Sequence, residues 1–521
     1  MRRAAALLPL LLLALAPPAR AGPEPDPVLV LLEPLSVQQA LRTPGLTAAA
    51  SGIGLLPVPG EGERALTDGL PPGVRVLRGS ASDLVSITQE GGLVVAAATR
   101  PTEGMRSRRD LVAPIVLALP GERRGPLRGL TSGSTRRSGI VTPADVAATF
   151  RDHLGLPIGE GSPIRVEGDA PIPLHERYLA VRGMAVPVQI AVLGMALLAL
   201  AAAAAFVVRG TRSPGAARML GAGVLAAVTL PVMLLPVSVP ARLGWGVVVS
   251  ALSVLTASVV GAAWWVGRRA GATAALGLIG ATALTVLAVD AARGWDAMAV
   301  PILGGGALDG ARFFGLGNVY AAVLLAGAVL TAAHLGTAGG TALLAGAALF
   351  AGLPGLGADF GGAVMLLAAA GLWFVLRARR RLGWLEAAII AGVVAAGAAA
   401  IVGAHALLAE EGHVGQAVSS GAGGALEIFW RRLLINAETM SAVPVAWLLV
   451  LALPAAAWLA WKRWGPLRAD PEWRDAVVVL SISTLVGVLA NDTGVGIAGI
   501  GLTFTAAALV YPALEERWTS A

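Results

Sequence analysis

Asp309, Arg312 and Asn318 bring a carboxylate, a guanidinium and a carboxamide together within ten residues, among three glycines and directly before a long apolar run. A guanidinium can bind a phosphate or a carboxylate through two parallel hydrogen bonds, and a carboxylate can serve as a general base. Ionisable groups beside membrane segments are costly and are therefore candidates for function. This stretch predicts a binding site for an anionic group at a membrane boundary.

Two further polar spots precede apolar runs in the same way. Asp359 lies in a Gly-Ala-Asp-Phe-Gly-Gly run, and Asn491 and Asp492 open an Asn-Asp-Thr-Gly run. Asn, Asp and Thr are also preferred at helix N-termini, because their side chains accept a hydrogen bond from a first-turn N–H. Helix capping is therefore an equal explanation for each spot, as is an ion pair between Asp309 and Arg312.

The composition indicates a membrane protein. Of 521 residues, 56% are hydrophobic and only 14% are charged, and the mean hydropathy is +0.74. Soluble proteins carry charge on about a quarter of their residues. Apolar blocks of about 17 to 25 residues can cross a roughly 30 Å hydrocarbon core as helices. Eleven spans are predicted after Pro187, with ten as the alternative because the sixth is short: 188–208, 217–237, 244–266, 271–289, 318–335, 338–353, 359–376, 384–407, 441–461, 475–490 and 494–513.

The first residues resemble a secretory signal peptide. Arg2 and Arg3 precede an apolar stretch from Ala4 to Ala16, and an Ala-Arg-Ala site ends at Ala21. An uncleaved anchor helix is the alternative. In either case the chain that follows is expected outside the cytoplasm, and because it contains no cysteine it can form no disulfide and no thiolate metal site.

The loop arginines support this orientation. With the N-terminal domain outside, loops that fall on the cytoplasmic side contain more arginines than those outside, as the positive-inside rule requires. The predicted protein is thus multi-pass in the plasma (inner) membrane with a cytoplasmic C-terminus, and its net charge of +7 reflects topology rather than a nucleic-acid partner. The helices after Asn318, Asp359 and Asp492 would then all run inward, so their N-termini could surround one anion.

Residues 22–186 predict a small extracytoplasmic α/β domain. Buried strands are expected at 28–32, 74–77, 93–98 and 115–119, and a helix at 144–154 with Thr142 as its cap and Pro143 at its first position. Ser36 is expected in a turn, and Asp145 in the first turn of the helix, where the helix dipole favours an acid. The fold class is therefore an α-helical polytopic membrane domain, 187–521, preceded by an α/β domain.

Two segments of this domain resemble the alkaline phosphatase superfamily. They are Val28-Leu-Val-Leu-Leu-Glu-Pro-Leu-Ser36, similar to its opening strand, and the run from Ser132 to Phe150 followed by His153-Leu-Gly155. The resemblance implies a phosphatase-like fold with two metal ions held by Asp and His. Here the acid after the strand is Glu33, and no Asp-His pair is present. We therefore predict a degenerate domain with no metal and no cofactor.

The predicted exterior loop between the eighth and ninth spans, 408–440, carries two arginines, Arg431 and Arg432, beside Trp430. The 426–435 stretch is amphipathic, which suits an interfacial helix whose arginines bind lipid phosphates. An interfacial helix without chemistry is the alternative. His405 and His413 lack a clear third ligand, so we predict no metal site there.

The polar runs of the membrane domain resemble those of a family of uncharacterised bacterial polytopic membrane proteins that have a phosphatase-like exterior domain. The order of parts is similar to that of the membrane-bound ethanolamine phosphate transferases. Those transferases act in lipid anchor synthesis, and the resemblance itself supplies no established activity for this chain.

We therefore predict a cell-envelope protein that handles an anionic lipid or lipid-linked glycan at the extracytoplasmic face. If the protein is an enzyme, we expect a transferase or hydrolase that acts on a lipid phosphate. A secondary transporter or flippase, and a non-catalytic scaffold that binds envelope proteins, are the alternatives. The predicted general bases are Asp359 and Asp492, and the predicted ligand-binding residues are Asp309, Arg312, Asn318, Asn491, Arg431 and Arg432.

Overall fold

The chain forms two compact units. The first unit comprises the described residues up to Thr131 together with Val141–Ala170. The second unit comprises Ser132–Ile140 and the described residues from Pro171 onward. The predicted signal peptide lies outside the described residues. The computed structural model describes residues 26–43, 50–57, 63–80, 83–89, 92–98, 112–119, 128–309, 313–379, 383–408, 430, 434, 436–438, 445–463, 470–491 and 493–519.

The first unit is built on a seven-stranded sheet of order β3-β1-β4-β5-β2-β6-β7. Strand β1 lies between β3 and β4 and is parallel to both, while the central strand β5 is antiparallel to its neighbours β4 and β2. Strands β1, β2, β4 and β5 are buried throughout, which is why they are nearly continuous apolar runs. The strands are β1 (Val28–Leu32), β2 (Gly52–Pro57), β3 (Arg75–Gly79), β4 (Val94–Ala98), β5 (Val112–Ala118), β6 (Arg128–Thr131) and β7 (Arg165–Asp169).

Four helices flank this sheet in the chain: α1 (Val37–Arg42), α2 (Glu63–Thr67), α3 (Leu84–Gln89) and α4 (Pro143–His153). The predicted helix at 144–154 is confirmed as α4, with Thr142 as N-cap and Pro143 at its first position. Asp145 is buried, and its carboxylate accepts hydrogen bonds from the N–H groups of Thr142 (2.7 Å) and Ser162 (3.0 Å). Ser36 is the N-cap of α1, where it forms a capping box with Gln39.

The second unit is helical. Its helices are α5 (Ile172–Val208), α6 (Pro214–Val237), α7 (Trp245–Ala270), α8 (Ala272–Ala292), the short α9 (Asp296–Ala299), α10 (Asn318–Ala332), α11 (Gly336–Gly352), α12 (Phe360–Arg379), α13 (Trp384–Leu408), α14 (Val445–Trp458), α15 (Pro471–Ala490) and α16 (Gly494–Thr519). The last turn after α14, Leu459–Arg463, is a π-helix.

Within the described residues, eight helices are long and apolar enough to cross a membrane. They are α5 to α8, α12, α13, α15 and α16, and this set fits a multi-pass membrane protein. Three further apolar helices, at Asn318–Ala332, Gly336–Gly352 and Val450–Lys462, are shorter. Each of the eleven predicted spans overlaps one of these eleven helices. Only eight of the helices are long enough to count as candidate spans.

Helix α5 is longer than predicted. It begins at Ile172 and continues through Pro187, so the predicted domain boundary at 186–187 falls inside a 37-residue helix. Its first half carries His175, Arg177 and Arg182, whose polarity conceals the helix from a search for apolar runs.

Helix α10 lies in the interior of the second unit. Every residue from Tyr320 to Leu330 is buried, and α10 contacts α8, α11, α12, α15 and α16. A helix that is apolar on all sides and surrounded in this way belongs to the centre of a bundle. The residues that begin α10 are therefore enclosed by the ends of its neighbours.

Candidate functional site

Three helices of the second unit begin beside residues that the sequence singled out. Helix α10 begins at Asn318, and Gly317 accepts the first helical hydrogen bond from Ala321 (2.9 Å). Asp359 precedes α12, and its carbonyl accepts the N–H of Ala363 (3.0 Å). Asn491 follows α15, three residues before the start of α16. We name Asn318, Asp359, Asn491 and the three helix starts the helix-start cluster.

The three helix starts adjoin one another. A Cβ atom at Gly496, in the first turn of α16, would lie 3.0 Å from the side chain of Val319 in α10. A Cβ atom at Gly362, in α12, would lie 3.0 Å from Ala321 in α10 and 2.6 Å from the Asp359 carboxylate. Glycine at both positions thus permits α12 and α16 to pack closely on α10.

Asn491 contacts the start of α12 directly. A Cβ atom at Gly361 would overlap the Asn491 side chain, so the carboxamide lies against the first turn of α12. Asn491 is 4% exposed, and its Nδ2 donates to the carbonyl of Gly487 (3.0 Å). The end of α15 therefore completes the cluster.

Asn318 lies on the side of α10 that faces the cluster. Val319 contacts α16 and Ala321 contacts α12, and successive helical residues are about 100° apart around the axis. Asn318 therefore points into the sector between α12 and α16, while Tyr320 points to the opposite side. The alternative in which Asn318 caps its helix does not hold, because Gly317 is the N-cap and Asn318 is the first helical residue.

Asp359 is completely buried at the start of α12. The residue before it, Ala358, has a positive φ of 50°, a conformation that costs a non-glycine residue about 1–2 kcal/mol. Backbone strain of this kind occurs where the surrounding structure fixes an unusual chain direction. Here it turns the chain so that the Asp359 carboxylate lies against Gly362.

Asn436 is a member of this region for which sequence reasoning assigned no role. Its Oδ1 accepts the N–H of Gly494 (3.0 Å), and its Nδ2 donates to the carbonyls of Val488 (3.0 Å) and Asn491. One carboxamide thereby bridges the break between α15 and α16. Its partners are more than fifty residues away in sequence, and no local pattern marks it.

Asp309 has structural partners. One carboxylate oxygen lies 3.2 Å from Arg182 of α5, and the other accepts the N–H of Gly306 (3.0 Å). These contacts connect the turn before α10 to α5. The remaining predicted site residues, Arg312, Asp492, Arg431 and Arg432, lie outside the described residues.

The loop between α8 and α10 is held by buried charge. Asp290, 6% exposed, accepts the N–H groups of Ala297 (2.8 Å) and Met298 (3.1 Å). Arg177 of α5 binds both carboxylate oxygens of Asp296, at 3.1 and 3.0 Å. Met298 lies 3.3 Å from the Cβ position of Gly317, so this loop packs against the N-cap of α10.

Trp295 connects the same loop to the loop before α12. Its indole N–H donates to the carbonyl of Leu356 (2.7 Å), and its ring packs on Phe350 with centroids 5.6 Å apart. Trp295 has a positive φ of 62° and is buried. Neither this role nor those of Arg177 and Asp296 were foreseen, because each depends on a partner in a distant loop.

Among the described residues, no group of three or more His, Cys, Asp or Glu could hold a metal ion. The cluster therefore offers carboxamides, a carboxylate and helix N-termini as its chemistry. Comparison of the chain with known protein families, with curated proteins and with solved structures finds no match.

Proposed function

We propose that this protein is a cell-envelope membrane protein that binds an anionic lipid or lipid-linked glycan at the helix-start cluster. The observation that supports the proposal is the meeting of three helix starts with Asp359 and Asn491 in one place. Helix N-termini attract anions through their partial positive charge and their N–H groups. Three such starts on different helices bring together more N–H groups than one start does.

The roles of the side chains follow from their chemistry. Asp359 is the proposed general base, and Asn318 and Asn491 are proposed to bind the polar headgroup through their carboxamides. Arg312, a few residues before α10, is proposed to bind the phosphate. We also propose roles for three residues close in sequence to Asn491 and Asn436. Asp492 would be a second general base, and Arg431 and Arg432 would bind the ligand.

We place the cluster at the extracytoplasmic face of the plasma membrane. Two of the three helices that start at the cluster finish with arginines: Arg377 lies near the end of α12 and Arg517 near the end of α16. Arg517 donates to the carbonyls of Val207 and Thr211, at the end of α5. Cationic residues at the end remote from the cluster favour that end as cytoplasmic.

A pair of Asp to Asn substitutions separates chemistry from helix capping. Asp359 and Asp470 each directly precede a helix, and Asn caps as well as Asp does. Asp470 lies at the other end of α15 from the cluster, and its carboxylate accepts the N–H of Trp473 (3.0 Å). Asp359→Asn should lower activity by about 100-fold or more if Asp359 is a general base, whereas Asp470→Asn should be neutral.

The experiment is complementation of a deletion strain, with envelope lipids and glycans compared with those of the parent. An intermediate should accumulate in the deletion strain, and Asp470→Asn should remove it while Asp359→Asn should not. If Asp359→Asn is inserted at the normal level and restores the parent lipid and glycan profile, Asp359 is not a general base. An unchanged lipid and glycan profile in the deletion strain would reject the proposed function in favour of a scaffold. Accumulation of an unmodified lipid in the inner leaflet alone would instead indicate transport.

A further inference from the structure

The segment Ser132–Ile140 is part of the second unit, although in the chain it connects β6 to α4. It is a compact turn. The N–H of Arg136 donates to the carbonyl of Ser132 (3.0 Å), and the buried Thr135 hydroxyl donates to the carbonyl of Ile140 (2.8 Å). Two consecutive arginine side chains, Arg136 and Arg137, extend from this turn.

Arg137 connects the loop after α8 to the loop before α10. Its Nη2 donates to the carbonyl of Trp295 (2.8 Å), and its Nε donates to the carbonyl of Phe313 (3.1 Å). Burial lowers the pKa of Arg137 and the neighbouring Asp296 raises it, but a guanidinium stays protonated in proteins. Each bond is thus a charged one, which is stronger than a hydrogen bond between neutral groups.

Arg136 connects the loop before α10 to the loop before α12. Its Nη1 donates to the carbonyl of Pro354 (2.6 Å), and its guanidinium lies 5.8 Å from the ring centre of Phe314. The two loops also share a backbone hydrogen bond, from the N–H of Leu316 to the carbonyl of Gly357 (2.7 Å). Loops 313–317 and 353–359 are therefore connected twice, once through the Arg136 side chain and once by a backbone hydrogen bond.

We propose that Arg136 and Arg137 are positioning residues of the helix-start cluster. They hold loops 313–317 and 353–359, which lead directly into Asn318 and Asp359, and so they set the separation of these two side chains. Both arginines act through backbone carbonyl groups and neither is assigned a contact with a ligand. The effect on activity rests on the proposed function, but the effect on loop position does not.

Lysine substitutions give the test its sharpest contrast. Arg136 makes one hydrogen bond, which a lysine ammonium can replace, whereas Arg137 spans carbonyl groups of two loops with a planar fork that lysine lacks. Arg136→Lys should therefore preserve the loop position, and Arg137→Lys should behave like Arg137→Ala. Arg293→Ala, which removes an exposed arginine next to the same loop, is the matched control.

Loop position is measured in the full chain by the distance between spin labels. Because the protein has no cysteine, Gly355→Cys and Thr493→Cys give one label in loop 353–359 and one beside the start of α16. The distance distribution should be narrow in the parent, in Arg293→Ala and in Arg136→Lys. The distribution should broaden in Arg136→Ala, which frees loop 353–359 directly. It should also broaden in Arg137→Ala and Arg137→Lys, because these variants free loop 313–317, which is bonded to loop 353–359 through Leu316 and Gly357.

Two results would overturn the proposal. One is an unchanged distribution in both Arg136→Ala and Arg137→Ala, and the other is an equally broadened distribution in the control Arg293→Ala. The distance measurement judges the positioning role even if Asp359→Asn shows that the cluster has no catalytic acid. Arg136→Ala removes one hydrogen bond and one ring contact of an exposed side chain, so it remains informative if Arg137→Ala does not fold.

Discussion

Gly315 is the residue at which the two loops of the cluster approach most closely. It has a φ of +90°, and a Cβ atom there would overlap the carbonyl oxygen of Gly357. A left-handed conformation costs alanine about 1–2 kcal/mol, and overpacking adds about 1–3 kcal/mol. Gly315→Ala should therefore lower the free energy of unfolding by the sum of both costs, measured by thermal unfolding of the purified protein in detergent.

Gly294 is the control for this substitution. It also has a positive φ, of 74°, but its Cβ position has open space around it. Gly294→Ala should incur only the cost of the backbone conformation. Equal losses of stability in the two variants would contradict the close approach of Gly315 to Gly357.

Residue types and spacing identified part of the cluster from the sequence. Asn318, Asp359 and Asn491 were recognisable because each is a polar side chain directly before or after an apolar run. Asn436, Arg137 and Arg177 were not, because their partners are carbonyls, N–H groups and carboxylates in distant loops. Hydrogen bonds to the backbone leave no complementary residue type in the sequence that could reveal them.

At the scale of elements, the adjacency of α10 and α16 can be tested by a disulfide. A Cβ atom at Gly496 would lie 3.0 Å from Val319 Cγ2, which is compatible with the roughly 3.5–4.5 Å separation of Cβ atoms in a disulfide. Val319→Cys with Gly496→Cys should therefore cross-link on oxidation. The bond is detected as loss of labelling by a thiol-reactive mass tag, reversed by a reductant.

Gly499 provides the matched control, since it lies in the same helix and no atom lies within 4 Å of its Cβ position. Val319→Cys with Gly499→Cys should stay reactive after oxidation. Cross-linking of both pairs, or of neither, would count against the packing of the start of α16 on α10. No background is expected because the natural chain lacks cysteine.

Elements were predictable where a single pattern dominated. All eleven apolar runs after Pro187 correspond to helices, because long apolar stretches have few other structures available to them. Strand β2 was missed because Gly52, Gly54 and Pro57 resemble a loop, although the strand is fully buried. Strands β6 and β7 were missed because the first has four residues and the second is mostly exposed and polar.

At the scale of the whole molecule, the proposed orientation is tested with single cysteines. Gly355 follows α11 and Gly210 follows α5, and the Cβ position of each has open space around it. A membrane-impermeant maleimide applied to intact spheroplasts should label Gly355→Cys, whereas Gly210→Cys should require permeabilisation. The reverse pattern would place the helix-start cluster on the cytoplasmic side and reject the proposed orientation.

The length of α10 has a consequence for how a lipid would be reached. Its 15 residues are about 22 Å long, roughly 8 Å less than the hydrocarbon core of a bilayer. Irregular backbone is tolerated at such a depth where protein surrounds it, as the neighbours of α10 do. If α10 crosses the bilayer, its neighbours in the protein would surround the part of the hydrocarbon core that it does not span. If the shortfall lies at the Asn318 end, a headgroup bound at Asn318 would sit deeper than the other headgroups of its leaflet and apart from them before any reaction or transfer.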